Sequence, residues 1–269
     1  MESISHNLKK AYNDLYQGHD EAWRMLGAKY KAHHIITVCK GQTFNKILEV
    51  GSGDGSVLKK LSEYNFGSEY YAVDVSESAV AYTRARNIKN LVSVQVVEGY
   101  QLPFADNSFD LVILSHVLEH AEHERLLLRE IKRLSKHVVI EVSVDYKTNA
   151  DKRIQHFLSY GLINIYTPTT LRYLLQTEGY KIKTDMYSII WPEVTRYNTF
   201  INQKKPGKFI DRFKILAAYA IKNTIVELSD SFRERLANAY TVLCTTAGKQ
   251  PGIFNQTTTG SQNSSIPIH

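Results

Sequence analysis

Cysteine is scarce in this 269-residue chain: Cys39 and Cys244 are the two, and they form no CxxC pair. A zinc knuckle or a redox dithiol therefore has no support. A disulfide framework is not expected either, which fits a reducing, cytoplasmic setting. No apolar run reaches the roughly eighteen residues a membrane span requires, so no transmembrane segment is expected. The stretch Met1–Tyr16 is polar and helical in pattern and lacks the apolar core of a signal peptide. No block of Lys and Arg stands out, since Lys9-Lys10 and Lys204-Lys205 are only pairs. Nothing thus calls for a nucleic-acid partner, and DNA is not expected. The ten histidines include no HExxH, and no internal repeat is visible.

What is present describes an ordinary globular chain. Hydrophobic residues make up 43%, enough to bury a core, and charged residues 22%. The length suits one domain with elaborations. The formal net charge of +6 favours anionic partners.

The apolar pattern changes character twice. Residues 5–40 read as helix, with Leu8, Ala11, Tyr12, Leu15 and Tyr16 on one stripe and Trp23, Leu26, Gly27 and Tyr30 on another. Gly41 is a plausible stop. From Lys46 short apolar strands alternate with helices: strands at 46–50, 69–74, 91–97, 110–114 and 136–142, helices at 56–64, 77–86 and 122–134. Several strands are apolar on both faces, the mark of a parallel sheet covered by helices. Thr167-Pro168 opens a capped helix that Gly179 ends. Strands are expected at 181–190 and 239–245, with a helical insertion over about 195–237 between them. The stretch 248–269 has little apolar content and is expected to be a disordered tail.

Gly51-Ser52-Gly53-Asp54-Gly55 follows the first strand and opens a helix. Glycines there let the backbone turn sharply and approach a ligand. Asp74 stands 23 residues after Gly51, at the end of the next strand, where a carboxylate can accept from a ribose diol. A dinucleotide site would share those features, but Ser56 stands where its third glycine belongs. Glu49 and Asp54 would also repel a pyrophosphate. They suit a ligand carrying an ammonium and a sulfonium.

Four segments then resemble the ordered motifs of class I S-adenosylmethionine-dependent methyltransferases, nearest the broad type-11 family. They are Ile47-Leu-Glu-Val-Gly-Ser-Gly-Asp-Gly55, Tyr71-Ala-Val-Asp74-Val-Ser76, Glu98-Gly-Tyr-Gln-Leu-Pro-Phe104 and Asn107-Ser-Phe-Asp-Leu-Val-Ile-Leu-Ser-His-Val-Leu-Glu-His120. The resemblance is strong over 46–143 and loose over 144–190. It implies a Rossmann-like, doubly wound α/β fold whose seven-stranded sheet has an antiparallel last strand. It implies S-adenosyl-L-methionine as cofactor, and the motifs say little about the acceptor. Glu49, Gly51, Ser52, Gly53, Asp54 and Gly55 would line its methionine and ribose part. Asp74 would hold the ribose hydroxyls, Val75 would pack on adenine with Ser76 beside it, and Tyr100, Gln101 and Leu102 would meet the adenine edge. Ser115 and His116 would close the pocket. The family often has an acidic residue directly after the glycine at position 99, where this chain has Tyr100. Gln101 or a backbone carbonyl is then left for the adenine amino group.

The run Ser115-His116-Val-Leu-Glu119-His120-Ala-Glu-His123 falls at the carboxyl end of the fourth strand, the edge that faces the ligand crevice. His116 or His120 could serve as general base, since an imidazole can take a proton from an acceptor hydroxyl. If helix began at once the two would share a face. The same residues could ligate a metal, although related methyltransferases usually need none and no metal is expected. They could also merely line or cap the pocket.

The segment from His156 to Tyr166 interleaves aromatics with His156, Ser159 and Asn164, a mixture that suits sugar-like acceptors. His156 and Tyr160 are the candidates there, and a plain structural loop is the competing reading. Tyr12, Tyr16, Trp23 and Arg24 in the N-terminal helices (1–45) could form a lid or simply pack on the sheet. The insertion could be a homodimer surface, a lid, an interfacial helix or a packed amphipathic helix.

Nitrogen acceptors commonly accompany an Asn-Pro-Pro-Tyr motif after the fourth strand. Ser115-His-Val-Leu is not that, so oxygen is the preferred acceptor atom. The Trp23–Lys31 segment, the Gly99–Phe104 variant and the histidine run resemble methyltransferases encoded among bacterial surface-polysaccharide genes, which implies a small-molecule or glycan-linked acceptor. A lipid or quinone acceptor at a membrane surface, and a non-catalytic partner subunit, are the alternatives.

Overall fold

The computed structural model describes residues 3–17, 20–144 and 150–246; the tail expected at 248–269 lies outside them. Two helices, α1 (His6–Gln17) and α2 (Glu21–Val38), precede the first strand. The single helix expected over 5–40 is therefore two. Asp20 takes an extended conformation and its side chain accepts from the Trp23 N–H, which starts a new helix.

The alternating region follows as β1 (Lys46–Val50), α3 (Ser56–Glu63), β2 (Glu69–Asp74), α4 (Glu77–Ala85), β3 (Leu91–Val96), β4 (Leu111–Ser115), α5 (Glu124–Leu134) and β5 (His137–Ser143). β4 and β5 each begin one residue later than hydropathy suggests. Asp110 is a lead-in whose carboxylate accepts from the Asn45 and Lys46 N–H groups. At the other end the ladder runs on through a polar residue, with Ser115 paired to Glu141. Next come α6 (Ile154–Ser159), α7 (Pro168–Thr177), β6 (Lys181–Ser188), α8 (Pro192–Tyr197), α9 (Phe209–Val226), α10 (Asp230–Leu236) and β7 (Ala239–Thr245). Thr167 and Thr170 cap α7 reciprocally, with Pro168 in its first turn.

The strands form one sheet in the order β3-β2-β1-β4-β5-β7-β6. β7 runs antiparallel to both its neighbours, and the β3–β5 block is parallel. This is the doubly wound sheet with an antiparallel last strand that the motifs imply. One face packs under α5 and α7 through Leu127, Leu128, Ile131, Leu171 and Leu175. The other packs under α2, α3 and α4 through Ala32, Ile35, Leu58, Leu61 and Val80. β4 is buried along its whole length, which explains its unbroken apolar run.

Two consequences place the site. Strand order reverses between β1 and β4, so the crevice opens beyond their carboxyl ends. The helices α8–α10 hang between the end of β6 and the start of β7. Ala239 there pairs with both Ser143 and Ser188, which puts the insertion's roots at the same edge.

Candidate active site

The glycine loop leaves β1 and is tied to β2, with Gly51 and Ser52 N–H groups donating to the Val73 carbonyl. Gly51, Gly53 and Gly55 all have positive φ, and Gly53 shows why a side chain is barred. A β-carbon at Gly53 would lie 2.5 Å from the Tyr16 Oη. Asp74 braces the loop: its two carboxylate oxygens accept from Gly53 N–H at 2.8 Å and Ser76 N–H at 2.9 Å. Each oxygen keeps a second lone pair that a ribose hydroxyl could use. Burial pushes the Asp74 carboxyl up from its ordinary value, against the pull of those N–H bonds.

The two loop carboxylates do different things. Asp54 is buried and held by Arg86, Nη2 to Oδ2 at 2.6 Å, while Arg86 Nε donates to the Asp54 carbonyl. Its charge is spent inside the protein. Glu49 is fully buried in β1 and its Oε2 has no hydrogen-bond partner among the described residues. Burial drives the Glu49 carboxyl well up, helped by Asp54 and Asp74 and opposed by Lys31 and a backbone bond from Leu58. The Ser52 Oγ in the loop is also buried without a hydrogen-bond partner among the described residues. One oxygen of a buried carboxyl at the foot of the loop is thus left for a further hydrogen-bond partner.

The adenine-side segment is held from behind. Tyr100 is buried, and its Oη accepts from the His123 N–H. Leu102 N–H donates to Glu130, and the Leu102 carbonyl accepts from Arg133. Gln101 is exposed, and Val75 is half-buried against the core.

At the end of β4, His116 does not start a helix. It has φ +56°, and only residues Leu118–His120 form a short 3₁₀ turn. The shared helix face expected for His116 and His120 is therefore absent. The reversed φ turns the His116 ring back toward the sheet edge, where Nδ1 lies 3.0 Å from Glu119 Oε1 and 3.1 Å from Ser143 Oγ. Nε2 lies 3.9 Å from Glu141 Oε1. Glu141 also binds His34 Nδ1 at 2.7 Å and the Ser115 hydroxyl at 3.1 Å. Burial alone would raise the Glu141 carboxyl, but His34, His116 and Lys31 hold it down at about 2. Burial acts on Glu119 likewise, yet the His116 contact and the Ser143 N–H keep it below its ordinary value. His116 thus sits between two ionised carboxylates.

His120 is placed differently. Its Nδ1 is 2.9 Å from the Gly161 carbonyl. A carbonyl only accepts, so Nδ1 carries the proton and Nε2 keeps its lone pair. Burial lowers the His120 pKa, helped by His116 and Lys31 and opposed by the Gly161 bond and Glu119, a direction that favours the neutral ring. Tyr12 of α1 meets that ring edge-on at 5.6 Å. The Tyr12 Oη is buried without a partner among the described residues. In the same helix Asn13 Oδ1 accepts from the Ser76 hydroxyl at 2.8 Å, so α1 touches both halves of the crevice. Trp23 lies outside it, against Tyr197, while Arg24 covers the Tyr16 ring.

In the 156–166 segment, His156 and Tyr160 are exposed with rings 4.7 Å apart. Asn164 and Ser159 are taken up structurally: Asn164 Nδ2 donates to the Leu118 and Ala121 carbonyls, and Ser159 to the His156 carbonyl. Sequence reasoning passed over His34, Glu141 and Arg86. For Glu141 a signal existed, since a carboxylate inside Val138-Val-Ile-Glu141-Val must find a buried partner.

This sheet order, with a glycine loop after β1 and a braced carboxylate after β2, is the fold of the class I methyltransferases. Residues 48–138 match the type-11 family described as methyltransferase domain. YrhH of Bacillus subtilis, a protein named as a methyltransferase, is 32% identical over 129 residues, which are 45% of this chain and 71% of YrhH. The chain belongs to this methyltransferase family. The demethylmenaquinone methyltransferase of Corynebacterium glutamicum is 29% identical over 119 residues, 44% of this chain and 46% of that protein. The chain thus spans under half the length of that relative. Among solved structures, magnesium protoporphyrin IX methyltransferase from Synechocystis, with bound S-adenosylhomocysteine, shares the fold at TM-score 0.51 and 13% identity. That likeness covers 83% of each chain.

Proposed function

We propose that this methyltransferase acts on a hydroxyl oxygen of a small molecule or glycan-linked sugar, in bacterial surface-polysaccharide biosynthesis, with His120 as general base. The observation that carries the reading is the placement of His120: its Nδ1 lies 2.9 Å from the Gly161 carbonyl, which assigns the proton to Nδ1 and leaves Nε2 as the acceptor beside the carboxyl end of β4. His116, whose Nδ1 is held by Glu119 and whose Nε2 faces Glu141 at 3.9 Å, is assigned to positioning instead.

S-adenosylmethionine, when bound, supplies the electrophilic methyl group on a sulfonium. Glu49 would bind its ammonium and Asp74 its ribose hydroxyls, with Gly51–Gly55 giving backbone access and Val75 and Gln101 meeting the base. Asp54 serves by fixing the loop through Arg86. His116, gripped by Glu119 and Glu141, positions the β4 edge. His120 Nε2 takes the acceptor's hydroxyl proton, and its lowered pKa keeps it ready to do so at neutral pH. His156 and Tyr160 offer a flat face and polar edges to a sugar ring. The basic net charge suits an anionic acceptor. The quinone methyltransferases among the relatives support a second reading, a lipid or quinone acceptor.

The test is methyl transfer from labelled cofactor into fractionated bacterial extracts. Label is expected in a polar, glycan-containing fraction and released as a methyl ether. Label confined to the quinone fraction would refute the proposal. In the productive fraction His120→Gln should lower kcat by roughly 10²–10⁴-fold while S-adenosylhomocysteine still binds. An unchanged kcat would remove His120 from the role.

A further inference from the structure

We propose that the outward face of α9 docks the enzyme on an anionic lipid surface. This goes beyond the acceptor assignment and does not depend on which residue is the base.

α9 is apolar on two sides. Its inner side is packed: Tyr219 stacks on Trp191 at 5.9 Å, Trp191 stacks in turn on Tyr30 of α2 at 4.9 Å, and Val226 is buried. On the other side Ile210, Phe213 and Ile221 are 51%, 62% and 60% exposed, and Leu228 just beyond the helix is 69% exposed. The spacings of 3 and 11 residues keep Phe213 and Ile221 on the same side of the helix axis as Ile210. Large aliphatic and aromatic side chains gathered on one exposed strip mark a contact surface rather than scattered surface residues.

Charge names the occupant. Residues 203–222 hold six basic side chains, Lys204, Lys205, Lys208, Arg212, Lys214 and Lys222, against one acid, Asp211. Asp211 is committed to the helix start, where it accepts from the Lys208 N–H. The acids that follow, Glu227 and Asp230, are both paired with Arg233. Lys214 lies on the side of the strip, and Lys204, Lys205 and Lys208 lead into the first turn of α9, which makes the strip complementary to a bilayer of anionic headgroups, where the strip enters the acyl boundary and the lysines meet phosphates. A second copy fits poorly, because a twofold contact would set six bases against six. The insertion rises from the edge that carries His116 and His120, so docking brings the crevice to the membrane surface.

The experiment is flotation of the full chain with phosphatidylcholine vesicles, with and without about one-third phosphatidylglycerol. Sedimentation without lipid and S-adenosylhomocysteine binding run alongside. The wild type should float with the anionic vesicles only, and added salt should weaken it. Phe213→Glu with Ile221→Glu should reduce partitioning at least about tenfold with cofactor binding unchanged. Should that variant lose cofactor binding, Lys208→Gln with Lys214→Gln, which touches only exposed charge, should give the same loss of flotation. The inference is overturned if the wild type does not float with anionic vesicles, or floats equally with neutral ones. It is also overturned if neither variant changes flotation, or if the strip instead holds a dimer that Phe213→Glu separates while lipid binding is absent.

Discussion

Glu49 sets a conflict between the empty and the loaded enzyme that one substitution can expose. In the free protein its carboxyl is buried, half-unpartnered and pushed well up by burial. The unfolded chain loses that proton near the ordinary value of about 4.3, while the folded chain keeps it. Between those two values the native state holds more protons, so stability falls as pH rises. The fall is about 1.36 kcal/mol for each pH unit in that window and stops above the folded pKa. Glu49→Gln removes this loss. For a chain of this size each kcal/mol moves the melting temperature by about 2–4 °C. The apo variant should therefore melt above wild type by roughly 3–5 °C per pH unit within the window. Binding should move oppositely. Losing a hydrogen bond to a charged group costs about 1.5–3 kcal/mol, or roughly 10–150-fold in Kd for S-adenosylhomocysteine. Wild-type affinity should tighten with pH through the same window, and the variant's should not. Differential scanning fluorimetry over a pH series and calorimetric titration read the two effects. A variant that binds within twofold of wild type, with an unchanged pH profile, would refute the ammonium assignment for Glu49.

Two further substitutions probe the loop. Arg86→Met strands the buried Asp54 charge, which should cost about 3–5 kcal/mol and lower the melting temperature by roughly 6–20 °C; a shift under 2 °C would show that the pair is not structural. Gly53→Ala must hold φ +56° against a cost of about 1–2 kcal/mol and also displace the Tyr16 hydroxyl. Adding Tyr16→Phe should recover part of the lost cofactor affinity by relieving the 2.5 Å clash, and no recovery would place the defect in the backbone alone.

The sheet was legible because its strands are short, apolar runs closed by glycine or a capping side chain. β1 through β5 fall within a residue of where hydropathy sets them, and the two one-residue shifts trace to Asp110 and to polar residues that still pair. The break at Asp20 went unread because one helical stripe runs into the next, and hydropathy does not register the capping bond from Trp23 to Asp20. The local part of the cofactor crevice, Glu49 to Gly55 with Asp74, was legible as spacing. Its electrostatics were not. Arg86 reaches Asp54 from 32 residues away, and His34 reaches Glu141 from 107. Those pairings separate a spent carboxylate from an unspent one and His116 from His120. Nothing in a local motif carries either distinction. The reversed φ at His116 likewise belongs to a tertiary hydrogen bond, from its N–H to the Glu141 carbonyl.

The place of β7 between β5 and β6 has a cost during synthesis. Among the described residues β6 pairs only with β7, and fifty residues separate its end at Ser188 from the start of β7 at Ala239. At about 5–20 residues per second a ribosome needs several seconds to cross that gap. Meanwhile β5 presents an open edge and β6 is an orphan strand, and the bulky, basic α8–α10 segment emerges between them. A nascent or truncated chain ending before Ala239 therefore carries two exposed strand edges, the surfaces on which chains associate wrongly. The helical insertion thus delays closure of the sheet, and yield in cells should depend on how quickly residues 239–245 follow it out of the ribosome.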